Sequence, residues 1–438
     1  MNVTLAYIGY VMIAVLMAII ITKKLSPFAA LTIVPLVFGA VACVVNGVGV
    51  LELGGYVKDS IVNLAGTITM VLFAIMYFGI MISSGLFDAL VRKIVQMTRG
   101  NPCRVMVGAA VMSACVALDG EGSTTYIICC TAMLPVFERL KMNKLYLAVI
   151  IIMNTTVMNL MPWGGPSARI MVSCNMDANE ILRYLAPGIA LAVLYTIGVA
   201  YYLGLKERKR LGIVELGAIE LEETAQEAED LQYKRPKLVW FNLILTILIM
   251  VSLITGWLSA NVAFAIGTAV ALVVNYRKVS DQAHMIETHG AQAIPVVTMI
   301  IGASVLVGVM DGTGISDAIA SHLSSLVSES LGGIFPILLS VISCLGAFFL
   351  SVDAFYYGVL PILAEAGYAF GFSNITMGVA ASMGQAFHMI SPLVGSFYLI
   401  VQLTGQSMTD VQKNVAKWAV GMFLCFALGG VLSGVYPG

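Results

Sequence analysis

Long apolar runs separated by short polar stretches dominate this chain. Runs of the length needed to cross a bilayer, about 20 residues at ~1.5 Å each, fall near 4–22, 28–48, 66–86, 145–160 continuing past 166, 184–205, 238–258, 260–276, 292–310, 373–404 and 415–435. The run at 4–22 ends at Lys23-Lys24 and is expected to be a retained span, not a cleaved leader. Two other stretches are apolar at both ends and polar in the middle. Arms 103–118 and 126–140 flank Asp119-Gly120-Glu121-Gly122-Ser123-Thr124-Thr125, and arms 334–350 and 355–366 meet at Ser351-Val352-Asp353. At about 24 Å, the first arm falls short of a hydrocarbon core of ~30 Å. Residues 102–140 and 334–366 are therefore expected to be re-entrant hairpins, whose polar tips are tolerated only around a protein-lined site.

Composition narrows the class. The chain has 438 residues, 59% of them hydrophobic and 11% charged, with mean hydropathy +0.94. A soluble domain carries about 25% charge, so an all-α polytopic membrane protein is expected in the inner (cytoplasmic) membrane. The net charge of −1 says nothing about partners, and no nucleic acid partner is expected. The eight cysteines show no metal spacing and read as core-filling thiols. With the amino terminus outside, all but Lys58, Arg169 and Arg183 of the 23 basic residues fall on the cytoplasmic side, Lys23, Arg99, Arg104, Lys141, Lys206 and Lys278 among them. The first hairpin then has basic residues at both ends and enters from the cytoplasm. No Lys or Arg lies between Lys278 and Lys413, so the second enters from outside.

The two halves repeat. Gly85-Leu86-Phe87-Asp88 is echoed by Gly314-Ile315-Ser316-Asp317, and Leu134-Pro135-Val136-Phe137 by Leu360-Pro361-Ile362-Leu363. A helix-breaking proline follows at similar spacing, Pro162 in one half and Pro392 in the other. Beginning on opposite sides of the membrane, they read as inverted repeats at 1–210 and 238–438, joined by an acidic cytoplasmic linker at 211–237 expected to be partly helical. Such repeats are the signature of secondary transporters with a midplane site. Segments 54–65, 87–99, 279–290 and 312–328 read as interfacial helices, with His284, His289 and His322 solvated.

The chemistry concentrates at the tips and breaks. Pro162-Trp163-Gly164-Gly165-Pro166 cannot sit in an unbroken helix, since each proline removes a donor and clashes one turn back. Unwinding near 159–167 is expected to free carbonyls from Asn159 to Leu160 for a cation and amides around Gly164 and Gly165 for an anion. Pro166 then opens the next half-helix, with Ser167 and Arg169 in its first turns. In the second half, 388–396 is expected to unwind, with Ser391 as cap, Pro392 opening a half-helix, and Gly395 and Ser396 following. Ser123, Thr124 and Thr125 are placed to cap the returning arm of the first hairpin, and Asp353 that of the second. Four half-helix amino ends would thus form an anion cradle. Asp119 and Glu121 either bind a cation or proton or merely cap the tip. Arg169 either grips a substrate carboxylate or pairs with Asp119 or Glu121. Asp353 and His388 complete the proton-coupling candidates, a core hydrogen bond being the alternative for His388.

These motifs resemble the CitMHS family, citrate–metal:proton symporters of the ion transporter superfamily. The resemblance runs through Met76-Tyr77-Phe78-Gly79-Ile80-Met81-Ile82 and Gly85-Leu86-Phe87-Asp88, then Leu118-Asp119-Gly120-Glu121-Gly122-Ser123-Thr124-Thr125-Tyr126. It continues through Met158-Asn159-Leu160-Met161-Pro162-Trp163-Gly164-Gly165-Pro166, Asp353-Ala354-Phe355-Tyr356 and Ser391-Pro392-Leu393-Val394. Glu121 and Ser123 stand where the family pattern is expected to hold aspartate and threonine. The resemblance implies an elevator-type homodimer that takes up citrate chelated to a divalent cation such as Mg2+ or Ca2+, driven by protons, with no resident cofactor. The residues by themselves reach only a small anion carried with a cation. A sodium- or proton-coupled carrier of another carboxylate such as tricarballylate is the second reading. An embedded aspartyl hydrolase built on Asp119 and Asp353, and a passive channel, leave the repeats and the closed tips without purpose.

Overall fold

In the computed structural model, residues 3–98, 100–213, 231–326 and 333–436 are described, and all regular structure among them is helical. Most of the acidic linker, 214–230, lies outside them. The first half consists of α1 (Val3–Ile21), α2 (Pro27–Asn46), α3 (Leu53–Ser83), α4 (Asp88–Thr98), α5 (Pro102–Val116), α6 (Gly122–Arg139), α7 (Lys144–Met158), α8 (Gly165–Ser173) and α9 (Ala178–Leu211). The second consists of α10 (Val239–Thr255), α11 (Ala260–Asn275), α12 (Val279–Gly312), α13 (Ile315–Leu326), α14 (Phe335–Phe349), α15 (Leu360–Ala369), α16 (Asn374–Ser382), α17 (Gln385–His388), α18 (Gly395–Thr404) and α19 (Met408–Leu432). Among the described residues, 8 helical runs are long and apolar enough to cross a membrane.

The backbone carries the repeat. After α3 the chain turns at Gly85, φ 80°, before α4; after α12 it turns at Gly314, φ 73°, before α13. Both conformations lie where a Cβ is strained, so glycine is required at each. Segments 54–65 and 279–290 are not separate interfacial helices, as the sequence suggests. They are the first turns of α3, 31 residues, and α12, 34 residues, each about 46–51 Å long at 1.5 Å per residue. His289 is accordingly not solvated: it is 5% exposed, packed against Gly79 of α3, with Nε2 3.0 Å from Ser83 Oγ. His322 reaches Tyr10 Oη at 3.2 Å, and His284 stacks on Tyr233.

The first hairpin continues α5 through a tight turn at 117–119, so this arm has 18 residues and is not too short to cross. Its reversal comes from Gly120, φ 74°, and from where its ends lie. The start of α5 and the end of α6 both meet the same end of α9. A Cβ on Gly204 would lie 2.7 Å from Cys103 Cα. Nearby, Arg210 Nη2 donates to Lys141 O at 2.9 Å and Asn143 N to Glu207 Oε2 at 2.9 Å. In the second hairpin the ends also come together, with the rings of Phe335 and Phe370 5.5 Å apart. Its returning arm opens with a π-helical stretch, Ala354–Val359, absent from the sequence reading. Such wide turns are frequent at functional sites.

Close helix crossings fix the frame. α9 and α19 touch backbone to backbone: a Cβ on Gly429 would stand 2.2 Å from Gly188 Cα. Asn242 and Asn275 exchange two 2.9 Å hydrogen bonds between α10 and α11, satisfying buried amides that would otherwise be costly. The end of the linker is clamped at the same level, Lys234 Nζ lying 2.8 Å from Asp88 and Arg235 N donating to Ser84 O. Gly188→Leu is expected to overpack the α9–α19 crossing by about 1–3 kcal/mol and to lower the unfolding temperature of the purified protein. Gly198→Leu, on the same helix with nothing within 4 Å of its Cβ, is expected to leave that temperature unchanged.

Candidate functional site

The first long helix breaks where glycine and proline predict. α7 ends at Met158 and α8 starts at Gly165, capped by Gly164 with Pro166 in its first turn. The second break differs from expectation. Pro392 does not open a half-helix: α18 begins at Gly395 after Val394, and the incoming helix is already interrupted between α16 and α17. Nor does Ser391 cap α18. Its hydroxyl accepts from Leu393 N and donates to Phe348 O at 2.7 Å.

Each break grips the arm of its own hairpin. Trp163 Nε1 donates to Leu118 O at 2.8 Å, as Ser391 Oγ does to Phe348 O. The Trp163 ring is stacked on Phe78 at 5.6 Å and meets the Phe264 edge at 4.9 Å, which explains the aromatic run in α3. The breaks also touch each other, Asn159 Nδ2 lying 3.1 Å from Met389 Sδ.

The tip of the first hairpin sits against both breaks. A Cβ on Gly120 would lie 3.0 Å from Gly164 Cα, and one on Gly122 would lie 3.1 Å from Ser396 Oγ. Buried Tyr126 stands beside the hydroxyls of Thr155 and Ser396. The amino ends of α6, α8 and α18 therefore converge, giving three positive helix ends around one point. The fourth expected end, at the second hairpin, joins them only through α8.

The capping roles are redistributed. Glu121, not Ser123, Thr124 or Thr125, caps α6, its Oε2 accepting from Thr124 N at 2.7 Å, while Thr125 Oγ1 donates to Glu121 O. Asp119 is 8% exposed and accepts from Glu121 N at 3.0 Å. Each carboxylate thus accepts from a backbone amide at the tip. The Asn159 carbonyl accepts from Ser167 Oγ at 3.1 Å, and the Gly164 amide is engaged, donating to Met161 O. Among the described residues no group of three or more His, Cys, Asp or Glu is arranged for a metal.

Arg169 pairs with neither Asp119 nor Glu121. Its Nε donates to Asp353 Oδ1 at 2.7 Å and its Nη1 to Gly165 O at 2.8 Å, with Tyr357 6.0 Å beneath the guanidinium. Asp353 is therefore not the cap of the second hairpin, a place taken by Ser351 Oγ at Ala354 N, and it forms no dyad with Asp119. The ion pair joins the two halves across one short helix. His388 is a core residue, 5% exposed, its Nδ1 3.4 Å from Ala347 O. Sequence reasoning missed Gln385, which donates to Tyr356 Oη, and Ser173, which donates to Tyr356 O; nothing in their spacing marks them.

Neutralising Asp353 leaves a mostly buried guanidinium unpaired, a change that costs about 3–5 kcal/mol when uncompensated. Asp353→Asn is expected to lower thermal stability and transport more than Asp353→Asn combined with Arg169→Gln lowers stability. Paired melting curves check this. Gly120→Ala, strained by its positive φ and pressed onto Gly164, is expected to reduce ligand binding at least tenfold while keeping the protein folded.

The family model for citrate transporters, CitMHS, matches residues 10–384. The chain is 43% identical to a protein of Bacillus subtilis named "Citrate transporter", over 98% of this chain and 99% of the relative. It is 42% identical to that organism's "Mg(2+)/citrate complex secondary transporter", over 95% of each. At 37% identity over 98% of this chain and 99% of the relative it also matches "Uncharacterized transporter YraO" of the same organism. Its fold is similar to that of the Alcanivorax borkumensis YdaH transporter, whose topology is described as unusual, with TM-score 0.55 and 15% identity, covering 86% of this chain and 89% of that one. Matched along most of its length by this family and by these relatives, the chain belongs to the CitMHS family of citrate transporters.

Proposed function

We propose that this protein imports citrate as a complex with a divalent cation, Mg2+ or Ca2+, in symport with protons. One observation carries the reading: three helix amino ends and the two carboxylates of Asp119 and Glu121 meet at the first hairpin tip. Such a site offers positive dipole ends to citrate oxygens and carboxylate oxygens to the metal. Free citrate carries about three negative charges near neutral pH, since its three carboxyls titrate below 7. Chelation reduces the complex to about −1, which lessens the desolvation cost of entry. The relative named for a Mg2+/citrate complex supports the same cargo.

Ser123, Thr124, Thr125 and Ser396 supply hydroxyls around this point. Asn159, Gly164, Gly165, Pro166 and Ser167 build the wall that holds α8 in place. Ser391 and Pro392 shape the opposite wall. Arg169 and Asp353 form a latch between halves, and a substrate carboxylate competing for the guanidinium opens it. The hairpin ends that return to where they started support an elevator in which hairpins and breaks move as one body against α3 and α12. The homodimer, the inner-membrane location and the outward amino terminus belong to this proposal, the last supported by the one-sided basic residues.

Uptake of labelled citrate into proteoliposomes is expected to rise at least tenfold when Mg2+ or Ca2+ replaces EDTA. Asp119→Asn and Glu121→Gln are expected to remove that metal dependence. Uptake that ignores the metal and follows sodium would contradict the proposal and favour a carrier of another carboxylate such as tricarballylate.

A further inference from the structure

We propose that a second site, formed where α8, α12, α13 and α15 meet, binds the coupling proton, with Glu365 and Asp311 as the groups that share it. This deepens the symport reading and rests on it. A cavity of about 290 Å³ lies there, lined by Asp311, Ser316, Tyr357, Glu365, Tyr368 and Asn374 among others, with no Lys or Arg in its wall. Ser316 Oγ donates to Asp311 Oδ1 at 2.6 Å, fixing that carboxylate at the end of α12. Glu365 projects from the returning arm of the second hairpin into the same cavity as Asp311, so the two carboxylates repel when both are ionised. One shared proton relieves the repulsion.

A second, independent feature points to an occupant. Tyr357 also lines the cavity and is 1% exposed, and among the described residues its hydroxyl has no hydrogen-bond partner. A buried hydroxyl left so is costly unless something in the cavity completes it. The chemistry favours a proton over the alternatives. Acidic walls repel a citrate anion, whereas two neighbouring carboxylates can share one proton. The other titratable groups near Glu365 are Asp317, its own neighbour Tyr368 and, just after α8, Cys174, whose carbonyl accepts from Tyr368 Oη at 3.5 Å.

The site is placed to be coupled. Tyr357 forms one wall of the cavity and lies against Arg169, so the cavity borders the ion pair that joins the halves. Asp311 ends α12, whereas Glu365 rides on the hairpin arm. Displacing the arm along α12 parts the two carboxylates and removes the reason to hold the proton. Protonation therefore favours the arrangement seen here, and proton release favours the displaced one.

The test uses the full protein in proteoliposomes with Mg2+-citrate and two readouts, net uptake driven by an imposed pH gradient and exchange of labelled for unlabelled substrate at equal pH. Glu365→Gln is expected to lower gradient-driven uptake at least tenfold and flatten its pH dependence, while exchange stays within about twofold of wild type. Gradient-driven uptake equal to wild type overturns the proposal. So does loss of exchange together with uptake in a variant that purifies folded. If Glu365→Gln does not fold, Asp311→Asn is read the same way, and no split between the two assays overturns the assignment. A wild-type protein that exchanges no Mg2+-citrate removes the transport reading itself, an outcome distinct from either.

Discussion

Interrupting a helix inside a bilayer leaves peptide groups that lipid cannot satisfy, and this constraint organises the molecule. Each interruption is answered from within the chain. Trp163 donates to the carbonyl of Leu118, Ser391 to that of Phe348, Ser167 to that of Asn159, and Arg169 to that of Gly165. The hairpins and the broken helices are thus a single device, because each supplies the polar partners that the other lacks. Aromatic side chains of α3 and α11 seal it from the apolar side.

The Arg169–Asp353 pair has a different standing from these braces. At 2.7 Å and with side chains 14% and 19% exposed, it joins residues of opposite halves across a helix only nine residues long. Desolvation offsets much of the Coulomb gain for such a pair, so its value is conditional. It specifies one arrangement of the halves and leaves the groups ready to exchange partners when another charge arrives. The acidic cavity behind Tyr357 lies within reach of the same pair.

Much of this was legible in the sequence because its punctuation is backbone chemistry. Long apolar runs mark the spans, Gly120 and Gly164 mark the reversal and the break, and the twin turns at Gly85 and Gly314 mark the repeat. What was not legible depends on direction in space. That Glu121 caps α6 in place of the hydroxyls after it follows from the helix beginning as early as Gly122, not from residue type. Asp353 as the partner of Arg169 is set by a contact 184 residues away. The position of His289 depends on whether 279–290 lies flat or continues α12, and both fit the same polar-apolar mixture. The π-helical opening at Ala354–Val359 leaves no mark in composition, and it decides where Tyr356 and Tyr357 point.

The central claim is that the tip of the first hairpin, the start of α8 and the start of α18 enclose the transported complex. A density map of the protein prepared with saturating Mg2+ and citrate tests it most directly. Ligand density touching Asp119 or Glu121 on one side and the backbone near Gly165 or Ser396 on the other is the expected result. Density confined to another part of the molecule, with the hairpin tip still closed on Gly164, would contradict the account.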